Sequence, residues 1–240
     1  MLRPSNPHSV AVHAFLRGLR AAGFEGASLP VDVRADGREC LVFIEGEVAI
    51  PPFPAWAQSD DALASIADLM RRFHRASALV EVGLSTWSDE MADPAGGPIV
   101  CHNDVCLENV VFRGREAVAL LDFDFAAPGR PVYDLAQFAR MCVPINDDVS
   151  MAGLGWARPN RPARLRLIAD TYGLDRTGRD ELIEILDRSI ECAGAFVQRR
   201  VDAGDQNFIR MLDAMGGMQR YERQQEWWEA SRARFAHAMA

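Results

Sequence analysis

Residues 9–22 repeat apolar side chains at helical spacing, with Val12, Phe15, Leu16 and Leu19 on one stripe. Ser9 is the candidate cap and Gly23 a natural stop. Residues 38–44 (Arg-Glu-Cys-Leu-Val-Phe-Ile) form the apolar run of a strand. Glu45-Gly46-Glu47 follows, and Pro51, Pro52 and Pro54 then forbid regular structure, which predicts a hinge or linker. A second amphipathic helix is capped by Asp60 or Asp61 and carries Leu63, Ile66, Ala67, Met70 and Phe73 on one face. Beyond a Gly/Pro-rich loop at 93–98, the stretches 99–101 and 109–112 have the composition of short strands. Arg113-Gly-Arg-Glu is a turn, and residues 117–123 return as its hairpin partner. From residue 131 onward the pattern is helical, in segments near 132–143, 161–172, 178–203, 205–215 and 218–238. The longest of these aligns Leu182, Ile185, Leu186, Ser189, Ile190, Ala193 and Val197 on one face. There is no internal repeat and no low-complexity tract.

Composition narrows the class. The chain has 240 residues, 49% hydrophobic and 25% charged, which suits one medium domain or two small ones and excludes collagen, coiled coil and bulk disorder. No apolar run approaches the ~18–20 residues of a bilayer span. The first eight residues lack the apolar stretch of a signal peptide, so a cytoplasmic protein without membrane contact is expected. Twenty-six basic residues against 34 acidic ones give a net charge of −8, which argues against nonspecific nucleic-acid binding. Every one of the 26 is arginine. No mechanism here can therefore use a Schiff-base lysine, a Walker-A lysine or the usual kinase lysine. The five cysteines are odd in number and contain no C-x-x-C, so reduced thiols are expected rather than a zinc site.

The chemistry concentrates at 99–124. His102, Asp104 and Asn109 fit H-x-D-x-x-x-x-N, the catalytic-loop pattern of kinases, a match expected by chance about 0.01 times in this composition. A strand precedes the motif and a hairpin follows, ending in Asp122-Phe123-Asp124, where kinases carry the metal-binding aspartate of D-F-G. Together with Pro128-Gly-Arg-Pro-Val-Tyr-Asp-Leu-Ala136, residues 99–138 resemble the core of the aminoglycoside phosphotransferase and choline kinase family. Weaker similarity runs from about Val12 to the C-terminus and resembles the shorter bacterial members, some of them linked with toxin immunity. The resemblance implies an α+β, protein-kinase-like fold: a reduced N-lobe and hinge strand over 1–47, and a helical C-lobe over 48–240 with a small hairpin at the catalytic loop. It implies Mg²⁺ and ATP or GTP as co-substrate. Asp122 would hold both metals, Asn109 the second, and Asp124 is a further possible contact. Asp104 would take or orient the proton of the attacking hydroxyl, with His102 bracing the loop beside it. Asp134 would anchor that loop from the following helix.

The N-terminal side departs from the family pattern. No G-x-G-x-x-G precedes the first helix, and 37 residues are too few for four strands and a helix. Arg3 falls where the strand carrying the phosphate-gripping lysine would end, and is expected with Glu45 of the hinge to contact nucleotide. The first helix offers no glutamate to pair with Arg3. Glycine-rich strands upstream of a misassigned start, a reduced lobe that still binds nucleotide, and binding without catalysis all remain open. Glu184, Asp187, Glu191, Glu222, Glu226 and Glu229, with Trp227 and Trp228, are the candidates for holding an aminoglycoside-like cationic acceptor. The leading expectation is a small-molecule O-phosphotransferase. The alternatives are a kinase-like binding or immunity module, and a metal-dependent hydrolase using His102, Asp104, Asp122 and Asp124.

Overall fold

The computed structural model describes residues 1–81, 83 and 86–240; every anticipated helix buries apolar positions except the one near 205–215, which has no buried residue. The chain opens with β1 (Leu2–Pro4), α1 (Ser9–Ala21), β2 (Pro30–Val33) and β3 (Arg38–Leu41). The three strands form one antiparallel sheet in the order β1-β3-β2, with Arg3 directly opposite Glu39. The strand expected over 38–44 thus ends at Leu41, and Val42 and Phe43 emerge into solvent. Ser9 is the first residue of α1 rather than its cap; its Oγ instead accepts from the Asn6 N–H at 2.9 Å.

The proline segment leads into α2 (Asp60–Ser77). Ser59, not Asp60 or Asp61, caps it: its extended backbone lets Oγ accept from the Ala62 N–H at 3.2 Å. The segment 99–129 then contains β4 (Ile99–Cys101), β5 (Val110–Arg113), β6 (Glu116–Leu120) and β7 (Ala127–Gly129). β5 and β6 form the expected hairpin, and β4 pairs with β7. The hinge is pinned to this hairpin by reciprocal backbone bonds between Glu47 and Phe112, at 2.9 and 2.7 Å. Gly46 permits that approach: it has φ of 148°, and a Cβ there would sit 2.6 Å from the Phe112 carbonyl oxygen.

Six helices follow among the described residues: α3 (Pro131–Cys142), α4 (Asp148–Gly153), α5 (Arg161–Tyr172), α6 (Arg176–Asp202), α7 (Gln206–Ala214) and α8 (Gln219–Met239). α2 packs on α5, α3 on α6, and α8 closes over α5 and α6. All seven residues read onto the inner face of the long helix are buried. Between the two parts lies an aromatic cluster in which Phe15 of α1, Phe73 of α2 and Phe123 meet edge to face, with ring centroids 5.8–6.4 Å apart.

Candidate active site

The loop from His102 to Asn109 is held from below by one carboxylate. Asp134, in the first turn of α3, is fully buried and accepts the backbone N–H groups of His102 at 2.7 Å and Asn103 at 2.8 Å. His74 of α2 approaches its Oδ2 at 3.0 Å through Nε2, while His74 Nδ1 meets the Tyr172 hydroxyl at 2.8 Å. Burial pushes the Asp134 carboxyl up, but the His74 hydrogen bond and the His74 and His102 charges hold it below the usual carboxylate range. Asn103 adopts φ of 66° and its amide donates to the Phe125 carbonyl at 2.9 Å. Asparagine tolerates this left-handed turn better than most residues.

His102 is buried and cannot meet a substrate. Its Nε2 donates to the Leu121 carbonyl at 2.8 Å, leaving Nδ1 to accept from the Asp104 N–H at 3.3 Å. It therefore braces the loop against the end of the hairpin. This removes it as a metal ligand, and among the described residues no three His, Cys, Asp or Glu side chains converge on one point. The hydrolase reading loses its ligand set on both counts.

Asp104 stands at the mouth of the loop. Asn109 Nδ2 donates to its carboxylate at 3.0 Å and to its carbonyl at 2.9 Å, which leaves the Asn109 amide oxygen free for other work. Burial pushes the Asp104 carboxyl up to about 6; His102, Arg140 and Asn109 pull against this, and Asp122 adds to it. Asp122 has φ of 61°, a strained left-handed turn for an aspartate. Phe123, buried in the aromatic cluster, sets that turn, so both flanking carboxylates face outward.

Arg3 lies between those carboxylates. Its terminal nitrogens are 2.7 Å from Asp122 and 2.7 Å from Asp124, and its Nε donates to Glu39. Glu39 is fully buried and its second oxygen meets His13 Nε2 of α1 at 2.6 Å. Arg3, Glu39 and His13 thus link β1, β3, α1 and the Asp122–Asp124 turn. Burial, and then Asp122, push the Asp124 carboxyl upward, the mark of a site that favours a cation between two acids. Two carboxylates and an asparagine oxygen are hard, all-oxygen donors of the kind Mg²⁺ takes while keeping several waters. The donor set fits that ion.

Glu45 is not brought to this cluster. Its side chain borders a separate cleft with Arg20, Arg72 and Arg75, and its carbonyl accepts from Arg113 Nε at 3.1 Å. On the other side, Asp104 opens onto a cavity of about 770 Å³ walled by α3, α6, α7 and α8. Of the carboxylates expected to bind a cationic acceptor, only Glu191 lines it. Asp187 is taken by Arg232 at 2.7 Å and by the Trp228 indole N–H at 2.8 Å. Trp228 is core, and Trp227 stacks under Arg161 at 4.8 Å.

A profile of the phosphotransferase enzyme family matches residues 51–182. Trifolitoxin immunity protein of Rhizobium leguminosarum bv. trifolii is 34% identical over 191 residues, covering 77% of this chain and 71% of that one. The chain belongs to the phosphotransferase enzyme family. Solved structures show the same fold at low identity. A choline/ethanolamine kinase family protein from Mesorhizobium loti has a TM-score of 0.61 at 15% identity, covering 99% of this chain and 85% of that one. An amicoumacin kinase in complex with AMP-PNP, Ca²⁺ and Ami has a TM-score of 0.65 at 10% identity, covering 92% of this chain and 78% of that one. The fold is α+β and protein-kinase-like.

Within this family member, sequence reasoning missed Glu39, His13 and His74. Each is a polar residue on a face otherwise read as apolar. For His13 and His74 the available signal was a histidine one or three residues from core positions of its own helix. For Glu39 it was an acid inside a strand.

Proposed function

We propose that this chain transfers the γ-phosphoryl group of ATP or GTP to a hydroxyl of a small molecule held in the cavity above Asp104. The observation that carries the reading is the placement of Asp104: partly buried, oriented by Asn109, and facing the cavity on one side and the Asp122–Asp124 turn on the other. Asp104 would accept the hydroxyl proton as the oxygen attacks the γ-phosphorus. The bond to the bridging oxygen would break, and the nucleoside diphosphate would leave with that electron pair. Asp122 and Asn109, with Asp124 beside them, would hold Mg²⁺. When bound, that ion supplies neutralisation of phosphate charge. Arg3 would serve as the phosphate-side cation in place of lysine, steadied by Glu39 as the kinase lysine is steadied by a helix glutamate.

The experiment is a thermal shift with Mg²⁺ and nucleotide. Stabilisation is expected for the native protein and its loss for Asp122→Ala; no stabilisation by ATP or GTP would overturn the reading. Asp104→Asn should keep the shift yet lower kcat by about 10²–10⁴-fold. A second reading, a non-catalytic immunity module, is favoured by the 34% identity to a protein named for immunity. It predicts that protection of a host strain survives Asp104→Asn.

A further inference from the structure

The acceptor cavity carries an unpaid electrostatic debt. Seven arginines among the described residues have a buried Nε without an acceptor. Five of them, Arg71, Arg161, Arg164, Arg200 and Arg223, each hold a carboxylate. The other two, Arg140 of α3 and Arg220 of α8, have no carboxylate partner among the described residues, and both line the cavity.

Their remaining contacts are weak. Arg220 is 9% exposed; one terminal nitrogen meets the Met215 thioether, a poor acceptor, and the guanidinium lies 5.3 Å from the Tyr221 ring centre. Arg140 reaches only the Gln137 amide oxygen, at 3.5 Å, and that oxygen already accepts from Ser189 at 3.0 Å. Burial lowers the Arg140 pKa below the usual arginine value; Asp104, Tyr221 and Tyr133 oppose this, while Arg220 adds to it. Two guanidiniums that disfavour each other, both short of acceptors, are costly unless something anionic answers them. No acid on the same wall forms an ion pair with either arginine, Asp104 acting on Arg140 only at longer range. Glu90 is paired with Arg200 at 3.0 Å, Glu191 is exposed, and neither Glu108 nor Asp104 is within ion-pair distance of either arginine. Arg188 and Arg199 also line the cavity, but they are exposed and solvated.

Arg130 on the same wall is paired with Asp93 and Glu181. Beside a few neutral polar residues such as Asn146 and Gln224, much of the remaining lining is apolar and soft, with Phe125, Phe196, Phe208, Met211 and Met215 prominent. Methionine and phenylalanine walls adapt to irregular apolar bodies and offer nothing to a polyhydroxylated polycation.

We propose that the acceptor of this enzyme is an amphiphile with an apolar body and an anionic group, carboxylate or phosphate, gripped by Arg140 and Arg220 while its hydroxyl faces Asp104. The proposal rests on the phosphotransferase reading for the role of Asp104, but the anion grip itself is independent of nucleotide. It excludes aminoglycoside-like polycations, which would place ammonium groups against two guanidiniums that have no carboxylate partner among the described residues.

The test uses two fluorescent probes with one apolar body: 1-anilinonaphthalene-8-sulfonate, which is anionic, and N-phenyl-1-naphthylamine, which lacks the sulfonate. The native protein should bind the sulfonate about tenfold more tightly than the neutral probe. Arg220→Gln and Arg140→Gln should each erase that preference while leaving the neutral probe's affinity unchanged, which also shows that the cavity is still folded. Arg220→Lys should keep part of it, and gentamicin should displace neither probe. Equal affinity for the two probes, a preference that survives both glutamine variants, or displacement by gentamicin would overturn the proposal. Because no nucleotide is present, a failed nucleotide thermal shift and a failed anion preference remain separate results.

Discussion

At the scale of single residues, Asp134 does more than any other side chain to shape the site. One carboxylate satisfies two consecutive backbone N–H groups and a histidine in a fully buried setting. Asparagine can accept through only one atom, and its amide group would confront an N–H donor. Asp134→Asn should therefore cost about 3 kcal/mol, or roughly 10 °C in Tm, at neutral pH. Its pH signature separates this from mere loss of packing. The carboxyl is held below its unfolded value near 4, so its stabilisation is complete above that pH and is lost as pH falls through the lower folded value. The native protein should lose Tm steeply on that acid limb, and Asp134→Asn should lose it more gently. Parallel Tm curves from pH 6 to 2 would contradict the role assigned to Asp134.

At the scale of elements, legibility followed periodicity and length. The 12- to 27-residue helices repeat apolar positions often enough to declare themselves, and the packing between α2, α3, α5, α6 and α8 keeps what their stripes promised. The hairpin of β5 and β6 was legible from its turn and its flanking apolar runs. β7 was not: Ala-Pro-Gly has neither β-propensity nor a period, and it is a strand only because β4 lies alongside. β2 was hidden for a similar reason, burying one residue of four, and α4 is too short to show a face. The same limit applies to the site. The motif residues His102, Asp104, Asn109 and Asp122 were visible through spacing, whereas Arg140 and Arg220 gain meaning only from what does not surround them. The β4–β7 pair also depends on a close backbone approach. Gly97 lies against Gly129, and a Cβ at 97 would collide with the Gly129 carbonyl group. Neither side of that contact is a movable side chain. Gly97→Ala should therefore cost about 2 kcal/mol or more, close to 5 °C in Tm, and should lower kcat by displacing the loop that β4 feeds. An unchanged Tm would mean that the strand pair can slide without cost.

At the scale of the whole molecule, the small N-terminal sheet and the helical part meet through the aromatic cluster, the Glu47–Phe112 backbone pair and Arg3. Of these, Arg3 is the one that touches the proposed metal carboxylates. Removing it leaves Glu39, fully buried, with His13 as its remaining partner, and leaves Asp122 and Asp124 facing each other without a cation. Uncompensated buried charge is among the more expensive defects a core can carry. Arg3→Ala should lower stability by about 3 kcal/mol without metal. Added Mg²⁺ should restore part of that loss, because a divalent cation can answer Asp122 and Asp124 but cannot reach the demand of Glu39. Arg3→Lys should fall between, since a lysine ammonium can satisfy one of three carboxylates well but lacks the planar fork that spans them. Tm measured against Mg²⁺ concentration for the three proteins reads this directly: a steeper Mg²⁺ dependence in Arg3→Ala than in the native protein is expected. Identical slopes would mean that arginine and metal do not share the site. In that case Arg3 would be a structural strut between the sheet and the Asp122–Asp124 turn, and the phosphate-side cation would have to come from elsewhere.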